Sequence, residues 1–131
     1  MAKHSYLARR DIIPIWSNVP LYVPAIIAAS KGLFWYGFLI AMATTVSLLY
    51  HLSKETRLKK TDQALAYTVI AANLFVLYLA RFPQPYFMIA LAFVGLALYF
   101  FLTGKEHKYD VRHGLWHLCS VIITLMCVLA Y

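Results

Sequence analysis

The chain has 131 residues, of which 63% are hydrophobic and 13% charged, with a formal net charge of +7. Ordinary soluble domains carry roughly 45–50% apolar and about 25% charged residues, and a 15.0 kDa globule has too little interior to hide such an excess. Composition thus excludes a soluble enzyme, a disordered chain and a small disulfide scaffold, and points to an integral membrane protein.

Crossing a bilayer takes about 20 largely apolar residues, and five such runs follow one another. They predict an all-α, polytopic membrane helix bundle forming one domain over 1–131. The first run, 12–29, carries Pro14, Pro20, Pro24 and the polar pair Ser17-Asn18. It follows Arg9-Arg10 and ends in Ala28-Ala29-Ser30, an order that a signal peptide shares. Three prolines and an internal Asn suit a kinked, packed span better. The second run, 33–52, ends with Ser47 and His51. The third, 63–80, follows a basic link over 53–62 and is opened by Asp62. The fourth is 85–103. The fifth, 111–131, opens with His113 and His117 and holds Cys119 and Cys127. Eight helical positions are ~12 Å of rise, too far for a disulfide, so the cysteines read as small apolar helix residues.

The basic residues sit in short clusters between these runs, which reads as membrane topology rather than nucleic-acid binding. Lys3, Arg9, Arg10, Lys54, Arg57, Lys59, Lys60, Lys105, Lys108 and Arg112 share one side, ten of the twelve Lys and Arg. Lys31 and Arg81 occupy the other. The positive-inside rule then predicts a cytoplasmic N-terminus.

Ionisable side chains inside spans are costly and need a partner or a task. Ser47 and His51 lie four apart on one face, as do His113 and His117, and Asp62 joins them at the cytoplasmic boundary. On the fifth run His113, His117, Ser120 and Thr124 form one continuous stripe. Asp62 and Asn73 lie on one face of the third run, and Thr44 sits a turn before Ser47. Three spans therefore direct polar faces at a shared interior.

Two histidines at i, i+4 can bind one ion, and His51 supplies a third nitrogen. Three protein ligands with an open position is the pattern of catalytic zinc, which lowers the pKa of bound water toward ~7. Asp62 fits as base or water orienter, and Ser47 as a hydrogen-bond donor to water or a developing oxyanion. The bland readings are interfacial packing for the histidine pair and an N-cap for Asp62, with Thr61 equally placed as that cap. Their joint placement favours the metal. His4 and His107 lie in basic loops and are expected to be solvated.

Ser47-Leu-Leu-Tyr-His51, Asp62 and His113-Gly-Leu-Trp-His117 together resemble the CREST superfamily, which gathers alkaline ceramidases, progestin/adipoQ receptors, GPI-anchor phospholipases and myomaker-like proteins. The Ser17-Asn18 pair and the run from Thr44 to His51 look like the myomaker-related branch. The resemblance implies Zn2+ on His51, His113 and His117, with Ser47 and Asp62 beside its water. It also implies hydrolysis of an amide or ester in a membrane lipid. The family has seven helices and this chain five, which leaves room for a homodimer that completes the lipid cavity. The leading expectation is a zinc-dependent lipid hydrolase at the cytoplasmic leaflet. The alternatives are a receptor, fusion or assembly protein with a structural zinc, and a small b-type cytochrome with His51 opposite His113 or His117.

Overall fold

The computed structural model describes residues 12–104 and 109–131, and the regular structure in them is helical. Helices α1 (Ile12–Asn18) and α2 (Tyr22–Ser30) are joined by a 3-10 turn over Val19–Leu21. Then come α3 (Phe34–Ser53), α4 (Thr56–Leu79), α5 (Tyr86–Thr103) and α6 (Tyr109–Ala130). Counting α1, the turn and α2 as one stretch, five helices are long and apolar enough to cross a membrane. Pro20 and Pro24 lack the N–H that would bond four residues back, so the ladder breaks where they cluster.

The turns follow from backbone chemistry. Leu33 N donates to Ala28 O at 2.9 Å and Gly32 N to Ala29 O at 3.0 Å, with Gly32 at φ 85°. These are the paired bonds of a Schellman closure, whose left-handed residue is usually glycine. The end of α4 repeats them, Phe82 N to Leu77 O and Arg81 N to Tyr78 O, with Arg81 at φ 60°. Pro83 and Pro85 follow directly, and neither can continue a helix.

The third span departs from expectation. Its helix begins at Thr56 rather than 63, and the link from α3 shrinks to Lys54 and Glu55. The segment 56–62 is helical but too polar to register as part of an apolar run. Asp62 accordingly stands in the second turn, and it does not cap the helix. Nor does Thr61, whose hydroxyl donates to Arg57 O at 3.1 Å. Helix α6 likewise starts two residues before the expected 111. The other bounds agree within one residue. His4, Lys3, Arg9, Arg10, Lys105, His107 and Lys108 lie outside the described residues.

Packing relies on small residues, as helix contacts in lipid generally do. A Cβ on Gly37 would lie 2.6 Å from Ala25 O, so only glycine lets α2 and α3 cross this closely. Gly114 plays the same part on α6, where a Cβ would meet Ile13 Cγ2 of α1 at 2.5 Å. Helix α4 rests on α3 and α5 on α6, leaving a space between α4 and α5. Large apolar residues such as Trp16, Phe34 and Phe38 are 70% exposed, whereas Thr44, His51, Asn73, His117 and Thr124 are buried. A soluble protein shows the reverse. Both cysteines are free and buried.

Candidate metal centre

Helix α3 carries Ser47 and His51 one turn apart, both buried, at its C-terminal end. Helix α6 brings His113 and His117 against them from its first turns. The ring centroids lie 5.2 Å apart for His51 and His113, 5.5 Å for His51 and His117, and 4.5 Å for His113 and His117. One nitrogen from each ring lies within 4.8 Å of the others, a spacing at which a single ion could be held. Both nitrogens of His51 and Nε2 of His113 are sealed from solvent. Tyr109 stacks on His113 at 5.1 Å and 18°, and Trp116 stands 5.4 Å from the same ring. Aromatic walls of this kind limit water access and fix the imidazole plane.

The first span orients His117. Its Nδ1 lies 3.1 Å from Pro14 O and 3.2 Å from Ser17 Oγ, and Ser17 itself donates to Pro14 O at 3.1 Å. A carbonyl can only accept, so Nδ1 carries the proton and Nε2 keeps the lone pair that a metal needs. This is how ligating histidines are commonly set by a neighbour behind the ring. Gly114 makes it reachable, because α1 packs where its side chain would otherwise stand.

Asp62 stands outside the group of three nitrogens. It lines the same space, where the Ser47 hydroxyl is its hydrogen-bonding neighbour. Asn18 Nδ2 in turn donates to Ser47 Oγ at 2.7 Å, and Asn18 is 2% exposed. A relay from Asn18 through Ser47 to Asp62 thus runs beside the histidines. The sequence flags Ser17 and Asn18 as polar residues in an apolar span, but their contacts with α6 and α3 are new. Pro14 acts through its carbonyl oxygen, an atom no residue pattern marks.

From this end a cavity of about 340 Å³ runs between α4 and α5, with α3 and α6 behind it. It reaches from Asp62 to Leu77 along α4, ~22 Å of helical rise. Its size is that of a small-molecule site. Thr44, Ser47, Asn73, His117, Ser120 and Thr124 all line it, so the polar stripes of three helices do meet in one interior. No protein-family model, characterised protein or solved structure matches the chain.

Proposed function

We propose that this protein is a membrane hydrolase that uses a zinc ion on His51, His113 and His117 to cleave an amide or ester bond in a lipid. The observation that carries the reading is a three-imidazole cluster, His51 and His117 buried and His113 half-buried, whose His117 lines a long apolar cavity together with Asp62 and Ser47. A zinc ion supplied with three nitrogens would polarise a carbonyl and activate water near neutral pH. Asp62 takes the proton from the attacking water. Once Asp62 holds that proton it can donate to Ser47 Oγ, which frees the hydroxyl proton of Ser47, held by Asn18, for the oxygen on which charge develops. The cavity holds one acyl chain and sets its carbonyl beside the histidines. Edge-to-face packing of His51 against both other rings favours a three-nitrogen set over a pair of axial haem ligands. Lys54, Arg57, Lys59, Lys60 and Arg112 share the histidine end, while Lys31 and Arg81 stand at the other, which supports a cytoplasmic site.

The test is metal content and fatty-acid release by the purified protein across ceramides, lysolipids and diacyl lipids. His51→Ala, His113→Ala and His117→Ala should each lose zinc. Asp62→Asn should keep zinc and lose cleavage, and Ser47→Ala should slow it by roughly 10²–10³-fold. Full zinc occupancy with no lipid cleaved would make the metal structural and the protein non-enzymatic.

A further inference from the structure

Midway along the cavity, three helices meet through a second polar group. Tyr36 of α3 donates its hydroxyl proton to Asn73 Oδ1 of α4, and Asn73 Nδ2 donates to Thr124 Oγ1 of α6 at 3.3 Å. Asn73 is 7% exposed and Thr124 1%, yet both line the cavity. An amide has two N–H donors and a threonine one O–H. One amide hydrogen is committed to Thr124; the other is not, and neither is the proton of the Thr124 hydroxyl.

Five of the six other threonines make that proton conspicuous. Thr44, Thr45, Thr61, Thr68 and Thr103 each donate to the carbonyl one turn back, the usual local solution for a hydroxyl in a helix. Thr124 faces Asn73 instead. The cavity lining is mostly apolar, with Ile40, Ile70 and Ile123 among it. Donors left unmet in such a place are costly, so an acceptor belongs there. Thr124 lies seven residues beyond His117 and Asn73 eleven beyond Asp62, placing the group ~10–17 Å from the histidine end.

We propose that Asn73 and Thr124 form a donor pair that selects a lipid chain bearing an oxygen, as a hydroxyl or ketone, near its middle. Interhelical bonding explains the Tyr36–Asn73–Thr124 contacts but not two uncommitted donors on residues that line a chamber. The inference rests on reading the cavity as the lipid chamber of the proposed hydrolase, and its test is made separable from that reading by measuring binding without turnover.

The probes are stearate and its mono-hydroxy and mono-keto derivatives, substituted progressively along the chain, titrated into zinc-loaded protein in detergent. Mid-chain oxygenated stearates should bind about tenfold more tightly than stearate, and substitution near either end should give no gain. Thr124→Val, which preserves shape, and Asn73→Leu should abolish the preference while stearate affinity and zinc content stay unchanged. Where Asn73→Leu fails to fold, Thr124→Val carries the test alone. Equal binding of all the probes by wild-type protein overturns the proposal, as does a preference that survives Thr124→Val. A variant that loses stearate and its derivatives equally overturns it too, by reducing the pair to a helix clamp. Absence of lipid cleavage sinks the hydrolase and leaves this result standing.

Discussion

A metal-binding imidazole works only when its proton is held on the correct nitrogen, and at His117 the Pro14 carbonyl does this from across the bundle. Ser17 bonds the same carbonyl and touches the same ring nitrogen, so it limits rotation of the imidazole. Ser17→Ala should therefore weaken zinc binding by about tenfold, the lower end of what loss of a ligand's supporting partner costs. Competition with a chromogenic chelator measures it, and an unchanged affinity would deny Ser17 that role. The three histidines, Ser47 and Asp62 were legible from spacing because imidazole and carboxylate side chains are conspicuous in apolar runs. The carbonyl of Pro14 was not, since every residue has one. Nor was the Asn18–Ser47 bond, which joins residues 29 apart in sequence.

At the level of elements, the five helices long and apolar enough to cross a membrane could be read from hydropathy, because each is a continuous apolar run. The true start of α4 could not. Its first turns, through Lys59 and Lys60, leave the apolar register while keeping good helix formers, and hydropathy measures only the first property. The turn at Gly32 offers a clean test of backbone chemistry. A Cβ there would meet nothing within 4 Å, so a substitution changes only the strain at φ 85°. Gly32→Ala should cost about 1–2 kcal/mol, seen as a lower thermal midpoint in detergent. Zinc content should not change, since the turn lies at the opposite end of α3 from His51, ~25 Å of rise away. Loss of zinc together with stability would show that the turn and the site are coupled.

For the whole molecule, the division of Lys and Arg between the two ends predicts orientation. Lys59→Cys should react with a membrane-impermeant thiol reagent only after the membrane is opened, and Gln84→Cys without opening. Cys119 and Cys127 are buried, which keeps the background low. The opposite pattern would invert the protein while leaving its histidines together. The bond between Pro14 and His117 has one more consequence, because it joins residues 103 apart in sequence. The chain is made from its N-terminus, and both His113 and His117 lie in α6, which follows α1 to α5. A ribosome that has released α1 to α5 has produced only one of the three nitrogens. The three imidazoles can therefore gather only once α6 has reached α1 and α3, and a chain cut short before α6 keeps His51 without the partners that could hold an ion with it.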